Sequence, residues 1–148
     1  MDRAQKAYEM LATGTTNCAQ AVLVSFAEDY GLDKNLAFRL AQGFGGGMHH
    51  SGGACGVATA AYMVLGLSQK ISSEKPREKL EANYALMAEF NKRFKALHKS
   101  LSCTELSGYD LSIPEKAAEA REKRVFSTLC AGYARDAVKI LEDLLKEK

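Results

Sequence analysis

Asn17-Cys18-Ala19-Gln20-Ala21-Val22-Leu23-Val24-Ser25-Phe26-Ala27-Glu28-Asp29-Tyr30-Gly31 is the stretch on which the fold turns. Asn17 is a strong helix-capping residue, Gly31 suits the left-handed position that closes a helix, and the segment between them is apolar nearly all round. A helix without a polar face has no surface to give to water, so it predicts a central helix packed on several sides. Outward from it, apolar residues recur at three- and four-residue spacing along most of the chain, with neither strand alternation nor internal repeats. The class expected is all-α, a compact multi-helix bundle of about six to seven helices forming a single helical domain over 1–148.

The first helix is expected over about residues 3–12, with Ala4, Ala7, Tyr8 and Leu11 on one face and Thr13-Gly14-Thr15-Thr16 ending it. Asp33 can cap a third helix carrying Leu36, Ala37, Leu40 and Ala41. That helix runs into Gly43-Phe44-Gly45-Gly46-Gly47-Met48-His49-His50-Ser51-Gly52-Gly53-Ala54-Cys55-Gly56, which holds seven of the chain's twelve glycines. A fourth helix follows, with Val57, Ala58, Ala61, Tyr62, Val64 and Leu65 in the core, Met63 packing beside them and Gly66 as its end. Pro76 is suited to the first turn of a long helix reaching about His98, whose apolar stripe is Leu80, Tyr84, Met87, Phe90, Phe94 and Leu97. His98 falls where an imidazolium caps the negative end of the helix dipole. Ser112-Ile113-Pro114-Glu115 reads as a further helix start. The last helix, to about Leu145, buries Tyr133, Ala134, Ala137, Val138, Leu141 and Leu144, and Lys146-Glu147-Lys148 is expected to fray.

Twenty Lys and Arg against eighteen Asp and Glu give a net charge of only +2, which supplies no electrostatic footprint for nucleic acid or anionic lipid. Hydrophobic residues are 47% and charged residues 26%, the balance of a chain that folds around a core. Neither a signal-peptide core nor a membrane-length apolar run is present, so the expected address is cytoplasmic. There thiols stay reduced, and the four cysteines read as packed side chains, metal ligands or redox groups before structural disulfides.

Each cysteine stands at a helix start. Cys18 follows Asn17, Cys55 opens the fourth helix, Cys103 lies in the capping sequence Ser102-Cys103-Thr104-Glu105, and Cys130 comes soon after Ser127-Thr128. Unpaired N–H groups and the positive end of the helix dipole favour thiolate, so the expectation is an electropositive pocket with thiol pKa values lowered toward neutrality. No Cys-x-x-Cys is present, so a shared site has to be assembled by packing four helix ends together.

The early Cys18, the glycine-rich run into Cys55-Gly56, the helix ending Leu65-Gly66, Cys103, and Cys130-Ala131-Gly132-Tyr133-Ala134-Arg135-Asp136-Ala137 together resemble the C_GCAxxG_C_C family of small helical proteins described as redox-active. Gly43 to Gly47 and Phe90 to Phe94 extend the resemblance, which covers Cys18 to about Leu141. It implies a helical protein with a cysteine-centred redox or metal function, in which Cys18, Cys55, Cys103 and Cys130 occupy the family's four cysteine positions. Val57 and Ala60 depart from its alanine and glycine after Cys-Gly.

Three readings follow. In the first, a cysteine pair cycles between dithiol and disulfide, with Cys55 attacking and Cys18 resolving. In the second, Cys18, Cys55, Cys103 and Cys130, with His49 and His50 as further candidate ligands, hold an iron–sulfur cluster or another metal ion for electron transfer. The third is a helical scaffold whose cysteines only pack. A phosphate-cradle reading of Gly45, Gly46, Gly47 and Gly53 lacks the preceding strand and the lysine of known fingerprints, so these glycines are read as a tight turn that leaves space for a cofactor or substrate beside Cys55. His49 and His50 are read foremost as exposed loop residues. A redox partner of unassigned identity and a homodimer complete the expectations; no hydrolase signature is present.

Overall fold

The computed structural model of the chain describes residues 1–146. Eight α-helices are present among them: α1 (Arg3–Ala12), α2 (Cys18–Ala27), α3 (Lys34–Ala41), α4 (Gly56–Leu67), α5 (Leu80–His98), α6 (Cys103–Ser107), α7 (Pro114–Glu122) and α8 (Leu129–Lys146). The only β-type pairing there is an isolated antiparallel bridge between Ala54 and Ser102. The all-α class expected from apolar spacing is the class observed, and the five-residue α6 accounts for the helix beyond the expected six to seven. The fraying expected of Glu147 and Lys148 lies outside the described residues.

Local capping sets most of the helix starts. Asp2 Oδ1 accepts the Gln5 amide at 2.8 Å, and Asp33 Oδ2 accepts that of Leu36 at 3.0 Å. Asn17 and Gln20 form a reciprocal capping box: Asn17 Oδ1 accepts from Gln20 N at 2.9 Å while Gln20 Oε1 accepts from Asn17 N at 3.0 Å. The proline of α7 occupies its first position, whereas Ser112 turns back to hydrogen-bond Asp110 and Ile113 takes the cap position.

As its composition predicts, α2 lies at the centre, against α1, α3, α4 and α8. Ala19, Ala21, Val22, Leu23, Phe26 and Ala27 are all buried. On α8, which also meets α4, α5 and α6, every expected core residue from Tyr133 to Leu144 is buried.

Three expectations are corrected. The long helix begins at Leu80, not near Pro76, because Lys79 adopts a left-handed backbone (φ 67°) that a right-handed helix cannot run through. Within α5, only Phe90 and Phe94 of the predicted stripe are fully buried, by α4 and α8, while Tyr84 and Leu97 stay exposed. On α3 the alanines face the core and Leu36 and Leu40 face solvent, since α2 approaches closely enough to take only a small-residue face.

Candidate functional site

The four helix starts do meet. Cys18 is the first residue of α2, Cys55 the cap of α4, Cys103 the first residue of α6 and Cys130 the second of α8. Two backbone bonds hold the middle pair together: Cys55 N–H donates to Leu101 O at 2.8 Å and Cys103 N–H to Gly53 O at 2.7 Å. Gly56 lets α4 start against α2, since a Cβ there would stand 3.0 Å from Ala19 N and 3.2 Å from Cys18 Cβ. Gly47 presses on Cys103 even more closely, a Cβ in its place falling 2.6 Å from the cysteine Cβ.

All four cysteines line one cavity of about 10 Å³, together with Gly46, Gly47, Phe126 and Tyr133. That space is about what one water molecule requires. Cys55, Cys103 and Cys130 are buried, Cys18 is partly exposed, and all four are free thiols. Cys18 is the hub of the group. Its thiol is in hydrogen-bonding contact with Cys130, and its charge, if formed, would be felt by both Cys55 and Cys103.

The electropositive, low-pKa pocket expected from the helix starts is not what these surroundings produce. The hydrogen bond with Cys130, followed by burial, holds the Cys18 thiol well above its usual value. Burial, followed by the proximity of Cys18, raises Cys55 strongly. Burial pushes Cys103 up to about 11. The amides of Val57 and Ala58 do favour the Cys55 thiolate, as a helix start should, but removing the sulfur from water outweighs them. Cys18, Cys55 and Cys103 therefore rest as protonated thiols.

A second, open cleft of about 310 Å³ lies outside this cavity. Of the four cysteines, Cys18 alone lines both spaces, and Gly46 and Phe126 share that boundary. Gly45, His49, His50 and Arg121 belong to the cleft side. His49 and His50 are exposed, as expected of a loop pair. The candidate metal ligands are thus divided: the cysteines converge, while the histidines stand across the boundary. Among the described residues no group of three or more Cys, His, Asp or Glu side chains is arranged to hold a metal ion.

The glycine loop supplies the partition by an unusual route. Gly46, Gly47, Met48, His49 and His50 all have positive φ, from 51° to 71°, forming one left-handed turn. It is closed by Gly52 N–H to Gly46 O at 3.1 Å and Gly53 N–H to Gly47 O at 3.0 Å. The Gly53 amide is therefore spent within the loop. For Met48, His49 and His50 such a backbone costs roughly 1–2 kcal/mol each, a strain the surrounding packing has to hold.

Sequence reasoning missed Phe126 and Arg121, and it gave Tyr133 only a packing role. Phe126 carries no local signal, and Arg121 is one charge among many on α7. Tyr133 O–H donates to Leu106 O at 2.6 Å, and its ring meets that of His98 at 4.7 Å. His98 bonds Asp136 of α8 at 2.9 Å through Nε2, so it ties α5 to α8 and is not simply a helix cap.

An all-α bundle whose helix starts enclose a cluster of reduced thiols defines the class. Within it, the chain belongs to the family described as "Putative redox-active protein (C_GCAxxG_C_C)", which matches residues 16–144. Comparison with curated proteins and with solved structures gave no match. Among the described residues no helix is long and apolar enough to cross a membrane.

Proposed function

We propose that the protein is a thiol–disulfide redox protein in which Cys18 meets the substrate and Cys130 resolves the bond that forms. The observation carrying this reading is the position of Cys18, which faces the open cleft on one side and contacts Cys130 on the other. The attacking role expected of Cys55 passes to Cys18 because Cys55 is only 5% exposed and does not line the cleft. Cys55 and Cys103 then form the protonated, low-polarity floor of the site.

Thiolate stabilisation in the reduced state makes a dithiol oxidising, whereas its absence makes the pair a better electron donor. Thiols held in the protonated form therefore favour a reductant that transfers electrons to disulfides. A higher pKa lowers the thiolate fraction at neutral pH, but it raises the nucleophilicity of the thiolate that does form, so about half of the rate penalty is recovered. A metal-thiolate centre draws no comparable support: the four cysteines share one cavity, yet among the described residues no group of three or more Cys, His, Asp or Glu side chains is arranged to hold a metal ion.

The test is to oxidise the reduced protein with a small disulfide, alkylate the remaining thiols and map the peptides. A Cys18–Cys130 bridge with Cys55 and Cys103 alkylated is the expected result. Four alkylated cysteines, or a bridge that omits Cys18, would overturn the assignment.

A further inference from the structure

We propose that the cleft beside Cys18 selects small anionic disulfides, the oxidised form of a low-molecular-weight thiol that carries carboxylates; the inference rests on the thiol–disulfide reading and names its substrate class. Arg121, His49 and His50 line the cleft, and no Asp or Glu does. Among the described residues the Arg121 side chain has neither ion pair nor hydrogen bond, and the two imidazoles lie beside each other with ring centroids 5.7 Å apart. A guanidinium cation and two imidazoles are thus unspent at one mouth. Low-dielectric walls, provided here by Leu11, Leu111 and Phe126, focus such a field on the ligand.

The size of the cleft agrees with a small ligand. At about 310 Å³ it is at the lower end of ligand pockets, with room for one half of an organic disulfide and none for a folded domain. The wall residues suit the carbon skeleton, and Arg121 suits a carboxylate, which its planar guanidinium can bind through two N–H groups.

The chemistry closes without another reactant. The Cys18 sulfur attacks one sulfur of R–S–S–R, forming Cys18–S–S–R and releasing RS⁻, which takes up the proton lost by Cys18. The Cys130 sulfur then attacks the Cys18 sulfur, forming the Cys18–Cys130 bond and releasing the second RS⁻, which takes up the Cys130 proton. Two thiols have become one disulfide and the substrate disulfide has become two thiols, a transfer of two electrons.

The experiment compares oxidised glutathione, an anionic probe, with cystamine, a cationic one. Bridge formation is followed by mass in the fully reduced protein at low ionic strength, and each rate is divided by the rate of the same probe with a small neutral thiol. The wild type is expected to favour oxidised glutathione by roughly tenfold, a preference that shrinks as salt is added. Arg121→Gln should bring the ratio toward one and Arg121→Glu should reverse it, whereas Arg77→Gln, outside the cleft, should keep the wild-type ratio. Equal normalised rates in the wild type, or a ratio indifferent to Arg121→Glu, would overturn the substrate class while leaving the redox reading intact. Failure of both probes to form any Cys18–Cys130 bridge would overturn both.

Discussion

Raising the pH of the fully reduced protein from about 7 to about 10 should remove about 1.4 kcal/mol of stability through Cys103 alone. In the unfolded chain this thiol titrates near its ordinary 9.0, and in the fold burial moves it to about 11. Below the first value both states are protonated, so the folded state keeps its full advantage. Between the two values the unfolded chain has lost the proton that the native state still holds, and stability falls by about 1.4 kcal/mol per pH unit. The loss levels off above the folded value at about 3 kcal/mol, since Cys103 is only 8% exposed and solvent screens it little. Cys18, Cys55, Tyr62 and Tyr133 are all raised as well and act in the same direction. The assay is therefore a difference: urea unfolding of the wild type and of Cys103→Ser, followed by circular dichroism under reductant. Their gap should narrow by the amount given between about pH 8 and pH 10. A gap independent of pH, or a thiolate absorbance rising below about pH 8 in the folded protein, would refute the claim that burial governs these thiols.

Gly47→Ala should destabilise by at least about 2 kcal/mol in urea unfolding, since its Cβ meets both Cys103 Cβ and Gly53 N at 2.6 Å and its φ is +71°. Met48→Gly should have the opposite sign, gaining about 0.5–1 kcal/mol, because relief of a left-handed backbone exceeds the entropy cost of glycine; a loss of stability would show that the turn is not strained. Phe126→Ala should cost about 2–3 kcal/mol and, by opening the boundary between cleft and cavity, speed alkylation of Cys55 and Cys103 in the native state. Unchanged alkylation of those two residues would remove Phe126 from the partition.

The parts of this molecule that were legible in the sequence are those with local causes. Asn17, Asp33, Ser102 and Pro114 mark helix starts because caps and first-turn prolines act within three or four residues, and Asn17 and Ser102 placed Cys18 and Cys103 at the first positions of their helices. The centrality of α2 followed from the lack of a polar face. What depended on approach between elements was not legible. Leu36 and Leu40 match an amphipathic stripe, yet α2 comes too close to accept them. The thiol pKa values were misread for the same reason: helix amides at Cys55 are a local effect, whereas the loss of water around the sulfur arises only when α2, α4, α6 and α8 converge. The left-handed turn at Gly46–His50 was visible only as glycine content, because nothing in Met48, His49 or His50 announces a positive φ.

A redox titration of the wild type and the four single Cys→Ser variants, in dithiothreitol or glutathione buffers, bears most directly on the function proposed. The account predicts one two-electron couple, with a midpoint nearer the roughly −270 mV of thioredoxin than the roughly −120 mV of a strongly oxidising dithiol. That couple should vanish in Cys18→Ser and in Cys130→Ser and persist in Cys55→Ser and Cys103→Ser. A couple that survives loss of Cys18, or no couple at all in the wild type, would contradict it.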